Sequence, residues 1–223
     1  MKKKALIVGA TGLIGRHLLS LLFSDERYEQ ITVFGRRSVD IEHSTLIQHI
    51  VDFDCTKAWR KLITGNDLFS CLGTTIKAAG NRNAQYKVDY TYQYEVAQAA
   101  ADNGVATYTL VSTYGADPGS KMFFPRIKGE LDRDVKRLPF TTIRILKLSV
   151  LIGERYVTRP GESLAVVLGK LLTSWIRPLR KYRPIPAAVV AQAMITAAND
   201  TTAPAIREYE FEEIFELAHS NAT

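Results

Sequence analysis

The chain has 223 residues, of which 46% are hydrophobic and 23% are charged, and these values are typical of one globular domain and exclude a disordered or fibrous protein. A formal net charge of +6 is compatible with a nucleic acid, an anionic membrane surface or a polyanionic small molecule as the binding partner. The two cysteines lack a paired spacing, which excludes a disulfide framework. The four histidines are scattered, so the sequence contains no recognisable metal site. No run of about 18 apolar residues occurs, which excludes a membrane-spanning helix.

The first predicted elements are a strand and a helix that a glycine-rich turn connects. Residues 5–8 are a continuous apolar run that ends at a glycine, typical of a strand buried on both faces of a parallel sheet. Apolar residues recur at helical spacing over residues 14–23. The turn between them reads Gly9-Ala10-Thr11-Gly12-Leu13-Ile14-Gly15. This order predicts the first half of a βαβ unit.

Strands and helices continue to alternate over most of the remaining chain. Strands are predicted at residues 30–34, 47–51, 67–72, 105–112 and 140–148, and helices at residues 84–103, 126–137, 163–174 and 187–198. The alternation predicts an α/β, doubly wound Rossmann fold with a mainly parallel sheet and a ligand crevice at the carboxyl ends of the strands. We interpret residues 1–223 as a single domain in which residues 154–223 form a small C-terminal extension on the substrate side.

The glycine-rich turn predicts a dinucleotide-binding site. Glycines permit a tight turn and bring backbone N–H groups close to a pyrophosphate, while the N-terminus of the following helix supplies partial positive charge. An ordinary strand-to-helix connection without a ligand is the alternative. The predicted cofactor contacts of this turn come from Gly9, Thr11, Gly12, Leu13, Ile14 and Gly15.

The end of the second predicted strand favours NADP over NAD as the dinucleotide. NAD-binding Rossmann proteins use an acidic residue here to accept a hydrogen bond from the ribose hydroxyl, and this chain has none. Instead, Arg36 and Arg37 follow Gly35, and a guanidinium group can pair bidentately with a 2′-phosphate. We therefore predict NADP as the cofactor, with Arg36 and Arg37 as ligands of its phosphate. A solvated pair of arginines in a surface loop is the alternative.

Several further segments resemble one known family. They are Gly-Arg-Arg at 35–37, Leu-Gly-Thr-Thr at 72–75, Val-Asp at 88–89, Ser112 with Gly-Ala-Asp at 115–117, Lys-Gly-Glu at 128–130 and Arg-Pro-Gly-Glu at 159–162. Together with the glycine-rich turn, they make nearly the whole chain similar to the atypical short-chain dehydrogenases/reductases related to the human Tat-interacting oxidoreductase. Bacterial relatives in this group are labelled epimerase-like or semialdehyde-dehydrogenase-like. The resemblance implies an NADP(H)-dependent oxidoreductase that acts on a small carbonyl or alcohol substrate.

The resemblance also implies roles for residues outside the glycine-rich turn. Lys128 would reach the nicotinamide ribose, and Ser112 would be the hydroxyl beside the substrate. The residues that would line the adenine and the middle of the cofactor are Asp52, Phe53, Leu72, Gly73 and Thr74.

The catalytic tyrosine of the family pattern is missing. Family members use Tyr-x-x-x-Lys, in which both side chains lie on one helix face and the ammonium lowers the pKa of the phenol for proton transfer. Here Phe124 precedes Lys128 at that spacing, and no tyrosine in the chain is followed four residues later by lysine. Tyr114 is the nearest candidate for the acid, with a surface or cofactor-stacking tyrosine as the alternative. We therefore keep a second hypothesis, a non-catalytic dinucleotide-binding regulatory protein.

Localisation and partners are inferred from the N-terminus and from one basic segment. The apolar segment after the first four residues is too short for the core of a signal peptide, so we expect a cytoplasmic protein. Residues 175–183 mix basic and aromatic side chains. We interpret them as a solvated loop beside the substrate cleft, with lipid or partner binding as the alternative. We expect a small-molecule substrate and no nucleic acid.

Overall fold

A parallel sheet organises the chain. The structure, a computed structural model, describes residues 2–149, 151–152 and 184–220. Its strands are β1 (Lys3–Val8), β2 (Tyr28–Gly35), β3 (Leu46–Ile50), β4 (Asp67–Ser70), β5 (Thr107–Thr113), β6 (Thr142–Leu148), β7 (Leu151–Ile152), β8 (Ile185–Pro186) and β9 (Ile206–Glu210). The main sheet has the order β3-β2-β1-β4-β5-β6-β9, with every neighbouring pair parallel. β7 and β8 form a separate parallel pair.

Helices cover both faces of the main sheet. They are α1 (Leu13–Phe23), α2 (Thr56–Trp59), α3 (Ile76–Ala79), α4 (Arg82–Tyr86), α5 (Tyr92–Asp102), α6 (Phe123–Val135), α7 (Ala187–Asn199) and α8 (Glu212–His219). A 3₁₀ turn, Arg60–Leu62, follows α2, and a π-helical turn, Lys87–Thr91, joins α4 to α5. Residues of α1, α7 and α8 pack on one face of the sheet, and residues of α5 and α6 pack on the other. No helix in the described ranges is long and apolar enough to cross a bilayer.

β1 shows why the central strands are continuously apolar. Ala5 and Ile7 belong to the core beneath α1 and α7, whereas Leu6 and Val8 belong to the core beneath α5 and α6. All four side chains are fully buried. Burying a side chain of the size of leucine or isoleucine stabilises a folded protein by about 1.5–3 kcal/mol. This double burial fixes β1 in the middle of the sheet and places the glycine-rich turn at its carboxyl end.

The predicted α/β, doubly wound Rossmann fold with a mainly parallel sheet is confirmed. The helix predicted over residues 84–103 contains the π-helical turn Lys87–Thr91, which the helical periodicity does not predict. The helix predicted from residue 126 begins three residues earlier, at Phe123, and includes Pro125 as its third residue. A missing N–H there still removes no intrahelical hydrogen bond.

β9 and α8 are not predicted from the sequence. β9 reads Ile-Arg-Glu-Tyr-Glu and forms an edge of the sheet, where Tyr209 is its buried residue, so no apolar run marks the strand. The helix predicted at residues 163–174 lies outside the described residues, as do residues 154–183 of the predicted C-terminal extension. The single-domain organisation stays a prediction.

Candidate functional site

The glycine-rich turn at the carboxyl end of β1 is packed against the chain that follows β4. Gly9 has a φ of +86°, and a Cβ on it would lie 2.5 Å from the carbonyl carbon of Cys71. A Cβ on Gly15 would lie 2.2 Å from the carbonyl oxygen of Gly9. Both positions therefore require glycine for the turn to fold, whether or not a ligand is bound.

Gly12 differs from the other two glycines of the turn. Its φ is −77°, and the nearest atom to a Cβ built on it is the carbonyl oxygen of Gly9, at 3.1 Å. The Gly12 amide donates a hydrogen bond to that same oxygen at 2.9 Å. A methyl group at this position would require the Gly9 oxygen to move by a few tenths of an ångström, so packing demands glycine less strictly here than at Gly9 or Gly15.

The N-terminus of α1 lacks the usual capping groups. Gly12 is the N-cap residue and offers no side chain, and the first turn contains no acidic residue. The Thr11 carbonyl accepts a hydrogen bond from Nε of Arg16 at 3.2 Å. Leu13 and Ile14 are the first two residues of α1. The side chain of Ile14 is buried in the core, so Ile14 could contact a ligand only through its backbone. Backbone N–H groups at a helix N-terminus bind anions because of their partial positive charge.

Arg36 and Arg37 follow the carboxyl end of β2, as the glycine-rich turn follows the carboxyl end of β1. Both side chains are exposed, and neither makes a hydrogen bond or an ion pair within the ranges that the structure describes. The carbonyl of Gly35 accepts a hydrogen bond from the Val51 amide at 2.9 Å, which ties the ends of β2 and β3 together. The two guanidinium groups therefore carry positive charge that no described carboxylate neutralises.

Asp52 and Phe53 follow β3, and their side chains have different surroundings. Asp52 is exposed, and its carboxylate accepts a hydrogen bond from the Asp54 amide at 2.9 Å. The Phe53 ring is 3% exposed and stacks on Tyr92 with 5.3 Å between ring centroids. Any contact of Phe53 with an adenine would therefore come from its backbone.

Leu72, Gly73 and Thr74 follow β4, and the helix opposite holds this loop. The Thr74 amide lies 3.4 Å from Oδ2 of Asp89, and the Thr74 carbonyl accepts a hydrogen bond from Nε2 of Gln85 at 3.2 Å. A Cβ on Gly73 would lie 3.4 Å from Oδ1 of Asp89. The loop is therefore fixed against a carboxylate that is itself fully buried.

Lys128 lies on α6 and forms a buried ion pair with Asp89. The Nζ atom is 3.6 Å from Oδ1 of Asp89, and the two side chains are 6% and 1% exposed. Burial raises the pKa of Asp89, and the charge of Lys128 opposes that effect. The structure thus brings the Lys128 ammonium next to the carboxylate that holds Gly73 and Thr74.

Ser112 lies near the end of β5 with its hydroxyl turned towards α6. The residue is 4% exposed, and its Oγ donates a hydrogen bond to Oδ2 of Asp132 at 2.9 Å. Asp132 lies about one helical turn beyond Lys128. Burial raises the pKa of Asp132 to about 6, while the hydrogen bond from Ser112 and the charge of Lys128 favour its ionised form. Ser112 and Lys128 therefore belong to one buried polar cluster in which Asp132 interacts with both.

Gly129 lets the loop after β5 lie directly on α6. A Cβ on Gly129 would lie 2.3 Å from the carbonyl carbon of Asp117 and 2.3 Å from the Pro118 nitrogen. The Asp117 amide donates a hydrogen bond to the Pro125 carbonyl at 3.1 Å. The segments 115–117 and 128–130, which both belong to the family resemblance, are therefore in backbone contact.

Tyr114 and Phe124 are the two residues that bear on the missing acid. Tyr114 is 41% exposed, and its ring centroid lies 4.4 Å from that of Phe211. Phe124 is 40% exposed as the second residue of α6, one helical turn before Lys128. The exposed ring at position 124 carries no proton to donate.

Cys71 is not suited to nucleophilic chemistry. Its thiol lies 3.8 Å from Sδ of Met194, and burial raises the pKa of Cys71 to about 12. A thiol with such a pKa is protonated at neutral pH, whereas the thiolate is the nucleophile.

Two residues of the buried cluster are absent from the predicted site. Asp132 follows Lys128 by four residues, a spacing that places both on one helix face, so this signal is present in the sequence. Asp89 belongs to a segment that supports the family resemblance, but its contact with Lys128 depends on how the π-helical turn packs against α6.

Comparison with known proteins identifies related sequences. The model of the family described as "NAD dependent epimerase/dehydratase family" matches residues 5–171. "Protein FMP52, mitochondrial" of Candida glabrata is 33% identical to this chain, in an alignment 226 positions long that covers 97% of this chain and 96% of that protein. "Protein HTATIP2" of Rattus norvegicus is 30% identical to this chain, in an alignment 222 positions long that covers 97% of this chain and 88% of that protein.

Solved structures of low sequence identity share the fold. The UDP-glucose 4-epimerase of Thermotoga maritima with UDP-glucose has a TM-score of 0.69 and 12% identity, and the match covers 97% of this chain and 81% of that one. The Bordetella bronchiseptica enzyme WbmH in complex with NAD⁺ has a TM-score of 0.70 and 15% identity, with 98% and 80% covered. The predicted relation to the Tat-interacting oxidoreductase group is confirmed by the sequence matches. The chain belongs to the NAD dependent epimerase/dehydratase family.

Proposed function

We propose that the chain is an NADP(H)-dependent oxidoreductase that acts on a small carbonyl or alcohol substrate. The observation that carries the proposal is the difference among the three glycines of the turn. A Cβ on Gly9 or Gly15 would lie within 2.5 Å of a backbone atom, so packing requires glycine at both positions. A Cβ on Gly12 would lie 3.1 Å from its nearest atom, the carbonyl oxygen of Gly9. The glycine whose Cβ position is the least obstructed of the three, placed before an uncapped helix N-terminus, fits a pyrophosphate that approaches the backbone.

The residues around the carboxyl ends of the strands fit the remainder of a dinucleotide. Arg36 and Arg37 would hold the 2′-phosphate, because their exposed guanidinium groups follow β2, where an NAD-binding protein has an acid. Asp52 and the Phe53 backbone would border the adenine. The middle of the cofactor would lie along the loop that contains Leu72, Gly73 and Thr74.

The chain's own residues would orient the substrate and the nicotinamide. When bound, the nicotinamide supplies or accepts the hydride. Lys128 would hold the nicotinamide ribose, and its buried ion pair with Asp89 keeps the ammonium in place. Ser112 would bind the substrate oxygen, and Tyr114 is the candidate proton donor because Phe124 has no hydroxyl.

A second candidate function is a dinucleotide-binding regulatory protein without turnover. Phe124 is the observation that favours it, since the proton donor of the family pattern is missing while the glycine-rich turn is present. The two candidates share cofactor binding and differ in whether hydride reaches a substrate.

Turnover of a panel of small carbonyl compounds with NADPH, followed by its absorbance, separates the two candidates. If the chain is an oxidoreductase, the native chain should turn over a carbonyl compound, and Tyr114→Phe should lower the rate of that turnover. Phe124→Tyr is the matched gain-of-function variant, because positioned acid catalysis is worth about 10²-fold to 10⁴-fold and the side chain at this position is 40% exposed. Absence of turnover in both the native chain and Phe124→Tyr, at saturating NADPH, would leave the regulatory protein as the better account.

A further inference from the structure

The hydrogen bond between Ser112 and Asp132 lies in a buried environment. Both residues are 4% exposed, and the Ser112 Oγ donates to Oδ2 of Asp132 at 2.9 Å. Oδ1 of Asp132 is buried and has no hydrogen-bond partner among the described residues. A buried carboxylate with an unpartnered oxygen is costly, which favours the protonated form of the Asp132 carboxyl.

Charged groups face Asp132 from three elements. Lys128 lies one turn earlier on the same helix, Lys147 lies on β6 and Glu208 lies on β9. Lys147 is itself paired with Glu208, which also pairs with Lys136, the residue that caps the C-terminus of α6. Lys128 also forms an ion pair with Asp89, which lies on the π-helical turn. Two buried carboxyl groups therefore compete for one ammonium, and no full positive charge is left for Asp132 alone.

A serine hydroxyl has a single proton to donate. While Asp132 is ionised, it can only accept, so the Ser112 proton is committed to it and the Ser112 oxygen can only accept from a ligand. Once Asp132 is protonated, its own O–H can donate to Oγ, and the Ser112 proton becomes available to a ligand. A carbonyl oxygen needs a donor, whereas an alcohol can donate.

We propose that Asp132 is a positioning residue whose protonation state decides whether Ser112 binds the carbonyl or the alcohol form of the substrate. The inference rests on the proposed function, because it takes Ser112 as the hydroxyl beside the substrate. Protonated Asp132 supports carbonyl reduction, and ionised Asp132 supports alcohol oxidation. Since burial raises the pKa of Asp132 to about 6, the change between the two states occurs close to neutral pH.

The first test measures the carboxyl itself in the unliganded chain. With ¹³C-labelled aspartate, NMR should show one carboxyl resonance that titrates near pH 6 and that is absent in Asp132→Asn. Ser112→Ala should raise the pKa of this group, because the Ser112 hydrogen bond favours the ionised carboxylate. An unchanged pKa in folded Ser112→Ala would overturn the inference, and so would titration of the Asp132 carboxyl near pH 4.

The second test compares the two reaction directions over pH 5–8, in whichever of the native chain and Phe124→Tyr shows turnover. The kcat/KM for carbonyl reduction should fall by up to about tenfold per pH unit above the pKa of Asp132, while kcat/KM for oxidation of the matching alcohol rises. Asp132→Asn should flatten the reduction profile in the same background, because an amide N–H donates to Ser112 at every pH. A reduction profile in Asp132→Asn that still falls above pH 6 would contradict the inference.

The two tests separate the failure of this inference from the failure of the proposed function. If no carbonyl or alcohol is turned over, the proposed function fails and the role of Ser112 towards a substrate fails with it, whatever the NMR titration gives. If turnover occurs and Ser112→Ala leaves the pKa of Asp132 unchanged, the oxidoreductase stands and the positioning role of Asp132 is wrong.

Discussion

The ammonium of Lys128 and the carboxylate of Asp89 lie 3.6 Å apart, and both side chains are almost completely buried. Lys128→Met would leave the Asp89 charge buried without its partner, a change that costs about 3–5 kcal/mol in proteins. We expect the loss in the free energy of unfolding to be larger at pH 8 than at pH 5, because Asp89, whose pKa burial already raises, can take up a proton at the lower pH. Urea titrations at the two pH values measure the difference.

Lys136→Met, at the residue that caps the C-terminus of the same helix, is the matched control for that prediction. Lys136 pairs with Glu208, but its side chain is 34% exposed. An ion pair that reaches solvent contributes about 0–1 kcal/mol, so this variant should lose little stability at either pH. Equal losses for the two lysine variants would show that the Lys128 pair is solvated rather than buried.

Asp132 should make the folded state less stable as the pH rises from about 4 to 6. Burial raises the pKa of Asp132 from 3.8 to about 6 in the folded chain. The folded state then holds the proton more tightly than the unfolded state, so this contribution is present at low pH and is lost as pH rises through the folded pKa. A shift of about two units corresponds to about 3 kcal/mol. Asp132→Asn should therefore gain stability relative to the native chain between pH 4 and pH 7.

Asp134→Asn, on the same helix, should change the pH dependence of stability in the opposite direction. The side-chain hydrogen bond from Arg133 lowers the pKa of Asp134, which also accepts a hydrogen bond from Tyr90. Removing this carboxylate should cost more stability at pH 7 than at pH 3. If both aspartate variants respond to pH with the same sign, the assignment of Asp132 as a proton-holding group is wrong.

Alanine substitutions at Gly12 and at Gly15 should have different effects. Gly12→Ala should leave the far-ultraviolet circular dichroism spectrum and the unfolding midpoint close to native values, yet weaken NADPH binding by about tenfold or more, because the methyl group would occupy space that the pyrophosphate needs. Gly15→Ala should destabilise the chain by about 1–3 kcal/mol or more, since its Cβ would lie 2.2 Å from the Gly9 carbonyl oxygen. Unchanged NADPH affinity in folded Gly12→Ala would remove this turn from the cofactor site.

The layered fold can be predicted from the sequence because its central strands are buried on both faces. Ala5 and Ile7 face one core while Leu6 and Val8 face the other, so the strand is an uninterrupted apolar run. β9 has no such signal, because it is an edge strand whose mixed composition reflects one buried residue, Tyr209, among partly or fully exposed neighbours.

The spacing of residues along the chain predicts only part of the candidate site. Glycines at 9, 12 and 15 look equivalent in the sequence, and only the packing around each Cβ position separates those that the fold requires from Gly12. The direction of the Ser112 hydroxyl depends on β5 lying beside α6, a contact between residues twenty positions apart. Such contacts follow from the assembled sheet and not from a local pattern.

Calorimetric titration of the native chain with NADPH and with NADH tests the central claim most directly. Arg36 and Arg37 are exposed and unneutralised after β2, so NADPH should bind at least about tenfold more tightly than NADH, a difference of about 1.4 kcal/mol. Arg36→Ala should narrow that ratio by weakening NADPH binding while leaving NADH binding unchanged. Equal affinities of the native chain for the two dinucleotides would contradict the choice of NADP, and heat-silent titrations with no binding of either would contradict the account as a whole.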